Sequence, residues 1–164
     1  MIEPIPVVLA LGSNLGDRLT ALRGAIEALS PYVEVQKKSR VYETPSAYVA
    51  NQPAFLNAAL LGATKLEPLA LLWTLKNIES DMGRQPTFRY GSRVIDIDII
   101  FYGDRVVDTP ELTIPHLLMT ERDFVLYPVN DIAPLWQHPK KKQTISELLA
   151  LLPDSDIMCV DEAL

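Results

Sequence analysis

The sequence predicts an α+β fold: a ferredoxin-like βαββαβ sheet with helices packed on one face, plus C-terminal additions. Three observations point there: four runs of strand length, helical apolar spacing after the first and third of them, and turn residues at the joints. Val7 to Leu11 is a compact apolar run, and Gly12-Ser13-Asn14 reads as the turn that ends it. Leu19, Leu22, Ile26 and Leu29 recur at helical spacing until Ser30-Pro31. Val33, Val35, Val41 and Tyr42 suggest a second strand leading into Thr44-Pro45, and a loop then runs to Pro53. Phe55 to Thr64 is apolar enough for a third strand. Glu67-Pro68 opens the second helix, whose buried stripe is Leu71, Leu75, Ile78 and Met82 and whose end is Gly83. Ile95 to Tyr102 reads as the fourth strand, followed by a Gly103-Asp104 turn and a short strand at Arg105 to Val107. Thr144-Ile145-Ser146-Glu147 fits a capping box ahead of a last helix through Leu152.

With 164 residues, 48% of them hydrophobic, the chain can bury one core, so residues 1–164 are read as a single domain. A net charge of −6 and a pI near 4.9 argue against a general nucleic-acid or membrane-surface binder. Any phosphate site must therefore be a local basic patch, and the expected partners are small molecules. Cys159 is the only cysteine, so no intrachain disulfide can form and a reducing compartment is expected. The run from Ile5 to Leu11 is too short and too Pro-flanked for a signal peptide or a membrane span. A cytoplasmic protein is expected, and a monomer, because no long apolar heptad demands a partner. Lys140-Lys141-Lys142 reads as a solvated turn.

Residues two apart on an extended chain face the same side, so Asp96 and Asp98 project together while Ile95, Ile97 and Ile99 point into the core. Two such carboxylates repel each other unless a cation lies between them. Mg²⁺ takes one or two carboxylates plus water and phosphate oxygens, and paired ions about 3.5–4 Å apart could both be reached from this face. A lone D-x-D is more often a solvated strand face, but here the preceding stretch holds Arg84, Arg89 and Arg93 and no acid. Guanidinium forks match phosphate oxygens, so the loop and the pair together supply both halves of a nucleotide-triphosphate site. His116 and Arg122 could add donors. Gly12-Ser13-Asn14-Leu15-Gly16 could receive an anion between strand and helix, although Asp17-Arg18 replaces the Gly-Lys-Ser/Thr ending of a P-loop. Phe55 and Asn57 share a strand face, where an aromatic beside an amide could hold a flat heterocycle.

Arg89-Tyr90-Gly91-Ser92-Arg93-Val94-Ile95-Asp96-Ile97-Asp98-Ile99-Ile100 closely resembles the signature of the 6-hydroxymethyl-7,8-dihydropterin pyrophosphokinases. Further segments resemble that family in the same order: Gly12-Ser13-Asn14-Leu15, Tyr42-Glu43-Thr44-Pro45, Gln52-Pro53-Ala54-Phe55-Leu56-Asn57, Ile78-Glu79 with Gly83-Arg84, Thr113-Ile114-Pro115-His116 and Arg122-Asp123-Phe124. The resemblance implies an enzyme of folate biosynthesis that transfers pyrophosphate from ATP to a reduced hydroxymethylpterin and releases AMP. It implies that Asp96 and Asp98 bind two Mg²⁺ ions, and that Arg84, Arg93, His116 and Arg122 contact the triphosphate. Asp96, Asp98, Arg84 and Arg93 would then form the catalytic set, with Glu79 facing the nucleotide and Thr113 near its ribose or phosphates. For the pterin it implies backbone contacts from Thr44 and Pro45, Asn57 on the ring edge, Phe55 and Phe124 on the two faces, and Asp96 close by. Phe55 stands where Tyr is expected, Tyr90 where Trp is common, Lys76 where Gln is expected, and Ala47 where a bulkier residue is expected.

Two other classes compete. Another nucleotidyltransferase type also pairs a Gly-Ser turn with a D-x-D strand, but there the two are close in sequence, unlike Gly12 and Asp96. A ferredoxin-like ligand-binding module is the non-enzyme alternative, since that fold hosts many functions.

Overall fold

The computed structural model describes residues 3–44, 54–83 and 94–164. Strand β1 (Ile5–Ser13) is followed by α1 (Arg18–Leu29), β2 (Val33–Lys38), β3 (Tyr42–Thr44), β4 (Phe55–Thr64), α2 (Pro68–Asp81) and β5 (Asp96–Tyr102). Two short strands, β6 (Val107–Asp108) and β7 (Thr113–Ile114), pair with each other, and a tight helical turn (Met119–Glu121) leads into α3 (Asp123–Ile132). Helix α4 (Ile145–Ala150) and β8 (Met158–Cys159) complete the chain. The main sheet has the order β5-β1-β4-β3-β8, with β2 also paired to β4, and every pairing is antiparallel. Among the described residues no helix is long and apolar enough to cross a membrane.

Local chemistry explains the helices. Asp17 caps α1 by accepting from the Thr20 amide at 3.1 Å, and Ala21, Leu22, Ala25 and Leu29 are buried. Pro68 opens α2, where its missing N–H costs nothing, and Leu71, Leu75 and Ile78 face the sheet. Thr144 and Glu147 satisfy each other's backbone amides at the start of α4 in the expected capping box. Leu9, Leu11, Ala58, Leu60, Ile97 and Ile99 join α1 and α2 in one core. Val8, Ala59, Ile100 and Phe101, on the opposite face, pack against α3 and α4. The two expected helices thus cover one face, and the C-terminal additions cover part of the other.

Four features differ from the sequence reading. Gly12 and Ser13 belong to β1 rather than to a turn, because both remain in register with β4 as Gly12↔Asn57 and Ser13↔Leu56. The second strand is broken into β2 and β3, and the short strand after β5 is shifted to Val107–Asp108. Helix α3 has no counterpart in the reading, since Pro128 lies inside it. An interior proline costs about 3 kcal/mol, but burying Val125, Leu126, Val129 and Ile132 at about 1.5–3 kcal/mol each outweighs it.

Candidate active site

Residues paired across antiparallel strands share a face, so the register assembles a row. Tyr42 opposes Asn57, Asn57 opposes Gly12, and Gly12 opposes Asp96. In the neighbouring row Ala59 and Asp98 both oppose Ala10. Side chains of these residues project to the side of α3, and small residues at its middle make a low floor. Gly12 is central to it: a Cβ there would lie 3.2 Å from Asn57 Oδ1 and 3.4 Å from Phe55 Cδ1.

On one flank, Asn57 and Thr44 are both buried, and Asn57 Nδ2 donates to Thr44 Oγ1 at 2.9 Å. That bond fixes the amide plane of Asn57 and leaves its Oδ1 on the Gly12 side. Phe55, in register with Thr44, stays partly exposed at the mouth.

Carboxylates crowd the other flank. Ile95, Ile97 and Ile99 are buried as expected, while Asp96 and Asp98 turn to the open side. Glu79, only 3% exposed on α2, accepts the Ile97 backbone N–H at 2.8 Å and so pins the strand between the two aspartates. Protein packed beneath Asp98 and the like charges of Asp96 and Glu79 push its carboxyl up to about 7, against the opposing pull of Arg122 and Lys76. Its side chain nevertheless keeps 44% of its surface open, so the group is crowded from below and reachable from above. His116 Nε2 stands 3.9 Å from Asp98 Oδ2, and its buried Nδ1 has no partner among the described residues. Burial and the Arg122 charge hold the His116 pKa below the ordinary value. Arg122 lies at the start of α3 with its guanidinium 5.5 Å from the Phe124 ring centroid.

The structure therefore gathers Asp96, Asp98, Glu79, His116 and Arg122 around one charge cluster. It joins them through Gly12 to Asn57, Thr44 and Phe55. Thr113 sits in β7, in register with Asp108 and shortly before His116. Pro45, Arg84 and Arg93 lie outside the described residues, as do Ala47, Arg89 and Tyr90. Gly12 as a floor residue escaped the sequence reading, although a glycine inside an apolar strand signals close approach by another group. Two hard carboxylates on one open face, with the Asp98 carboxyl pushed up by burial and by the neighbouring Asp96 charge, suit a magnesium ion that completes its shell with water and phosphate oxygens. No group of three or more metal-ligating side chains occurs among the described residues, so a ligand would have to supply the remaining oxygens.

Comparison with known proteins gives the family and the fold. The family profile described as 7,8-dihydro-6-hydroxymethylpterin-pyrophosphokinase (HPPK) matches residues 8–134. The chain is 42% identical over 141 residues to the 2-amino-4-hydroxy-6-hydroxymethyldihydropteridine pyrophosphokinase of Aquifex aeolicus, covering 86% of this chain and 88% of that one. It is 45% identical over 148 residues to a folic acid synthesis protein of Dictyostelium discoideum, covering 90% of this chain but only 22% of that one. The chain thus spans under a quarter of the length of that longer relative. Among solved structures, an HPPK-DHPS of Plasmodium falciparum superposes with a TM-score of 0.76 at 20% identity, over 92% of this chain and 46% of that one, a likeness of fold. This chain belongs to the 7,8-dihydro-6-hydroxymethylpterin-pyrophosphokinase family.

Proposed function

We propose that this chain transfers the terminal pyrophosphoryl group of ATP to the hydroxymethyl oxygen of 6-hydroxymethyl-7,8-dihydropterin, as a step of folate biosynthesis. The single observation that carries the reading is the open Asp96–Asp98 pair, destabilised by its own like charges, joined through Gly12 to the Asn57 cleft. In the reaction the hydroxyl oxygen bonds to the β-phosphorus of ATP and loses its proton. The bond from that phosphorus to the α,β-bridging oxygen breaks, and AMP leaves. In-line positioning and charge neutralisation contribute most of the acceleration in such transfers.

Asp96 and Asp98 would hold two Mg²⁺ ions, which when bound neutralise the triphosphate and fix its oxygens. Arg122 and His116 stand beside that pair, suited to donate to phosphate oxygens, with Arg84 and Arg93 assigned to the same task. Glu79 is proposed to serve the nucleotide half by restraining the Ile97 amide between the two aspartates, and Thr113 to lie near the ribose or phosphates. For the pterin, Asn57 presents an amide whose orientation Thr44 sets, Phe55 and Phe124 offer ring faces, and Thr44 with Pro45 contributes backbone contacts. The proposal includes a cytoplasmic monomer.

The test is product analysis with ATP, Mg²⁺ and the reduced pterin. AMP accumulating one-for-one with the pterin diphosphate is the expected result. Pyrophosphate release would instead indicate nucleotidyl transfer and overturn the assignment.

A further inference from the structure

We infer that Asp131 is a positioning residue for the flat-ring substrate: gripped by Arg40 and Tyr42, it sets the helix carrying Phe124 against the strand that orients Asn57. The inference rests on the function proposed above.

It begins with the break between β2 and β3. At that break the Ser39 amide donates to Ala59 O at 2.9 Å, while Ser39 Oγ accepts from the Ala59 amide at 2.8 Å and donates to Arg40 O at 2.7 Å. A side chain has taken over one rung of the strand pairing. The Arg40 amide is thereby turned out of the sheet and donates to Asp131 Oδ2 at 3.1 Å. Its guanidinium adds Nε to Oδ2 at 3.1 Å and Nη2 to Oδ1 at 2.8 Å, a fork that fits a carboxylate in one orientation. The Tyr42 hydroxyl lies 2.9 Å from both oxygens. Asp131 is 12% exposed at its side chain, so this grip is made largely out of water even though Arg40 itself is exposed.

Both bodies held by the grip bear on the proposed pterin cleft. Tyr42 is in register with Asn57, and Thr44, two residues on, fixes the Asn57 amide. On α3, Phe124, Tyr127 and Asp131 recur at i, i+3 and i+7, one stripe of the helix. Tyr127 meets Tyr42 ring to ring at 6.0 Å, and Phe124 lies about 10 Å farther along the axis than Asp131 at 1.5 Å per residue. The Asp96–Asp98 pair sits on β5, separated from β3 by β4 and β1, and of the groups placed beside it Arg122 alone is carried by the gripped helix. Loosening the grip should therefore weaken capture of the heterocycle, which both gripped bodies line, more than that of the nucleotide. A purely structural clamp would instead lower the active fraction and leave the two Michaelis constants in the same ratio.

Steady-state kinetics with each substrate varied, together with fluorescence binding of the reduced pterin, separates these outcomes. Asp131→Ala is expected to raise the pterin KM and Kd about tenfold while the ATP KM stays within about twofold, as for a small misplacement of one binding wall. Asp131→Asn, which keeps one acceptor oxygen but sets an NH₂ group against the remaining donors, should recover only part of that loss, and Tyr42→Phe, which removes one of the donors, should lose less than Asp131→Ala. If Asp131→Ala does not fold, Tyr42→Phe decides alone. Parallel changes in both KM values, or an unmoved pterin KM in an active protein, would overturn the inference while leaving the function intact. A wild-type protein that neither binds the pterin nor forms AMP would overturn both.

Discussion

Asp98 and Asp131 both lie on the α3 side of the sheet, partly enclosed by protein, and their surroundings drive them in opposite directions. Burial works against the Asp131 charge, but hydrogen bonds from Arg40 and Tyr42 outweigh it and hold its pKa below the ordinary carboxylate value. Asp98 meets burial as well, and the like charges of Asp96 and Glu79 add to it, so its carboxyl rises to about 7. The opposing pull of Arg122 and Lys76 does not compensate. A carboxylate satisfied by the protein's own donors is part of the architecture. One surrounded by its own kind is unfinished until something positive arrives from outside, and that difference marks the site.

The contrast can be broken most severely at the crowded end. Asp96→Ala or Asp98→Ala is expected to lower AMP-forming turnover at least about 100-fold, the low end for losing an electrostatic stabiliser, whereas near wild-type rates would remove the basis of the comparison. At the satisfied end, Asp131→Ala should cost about 2 kcal/mol in denaturant unfolding, as for lost hydrogen bonds to a charged group. Magnesium sharpens the contrast next: at ten times its Kd it should stabilise the wild type by about 1.4 kcal/mol. That gain should vanish in Asp98→Ala and survive in Asp131→Ala.

The smallest effect is the pH profile of the metal-free protein, where the two signs oppose. Asp98 has a folded pKa above its unfolded value of about 3.9, so its contribution is present below that value and is lost as pH rises through about 7. Asp131 has a folded pKa below the same reference, so its contribution is present above about pH 4 and is lost as pH falls through the lower folded value. Melting curves should show Asp98→Asn flattening the decline between about pH 4 and 7, and Asp131→Asn flattening the acid limb.

Much of this arrangement was legible in local patterns. The limits of β4 coincide with the apolar run Phe55–Thr64, the capping box before α4 is present, and the alternation that turns Asp96 and Asp98 outward follows from strand geometry. Helix α3 was hidden because its evidence is tertiary: Pro128 and a β-branched, aromatic composition argue against a helix, and only burial against the sheet overrides them. Gly12 was hidden because its role depends on Asn57 and Phe55 lying next to it on another strand. The Arg40–Asp131 grip joins residues 91 positions apart, a distance over which no local pattern reports contact. Its cause, the Ser39 side chain replacing a strand rung, appears only once β4 is beside it.

The account stands most directly on the ionisation of these two carboxyl groups. Carboxyl-carbon NMR of aspartate-labelled, metal-free protein, titrated from acid to neutral pH with single Asp→Asn variants for assignment, would read both in one sample. The account predicts that Asp98 titrates near 7 and Asp131 below the ordinary carboxylate range, and that added Mg²⁺ displaces the Asp98 transition downward while leaving Asp131 unmoved. An Asp98 that titrates like a solvated carboxylate and does not respond to Mg²⁺ would contradict it.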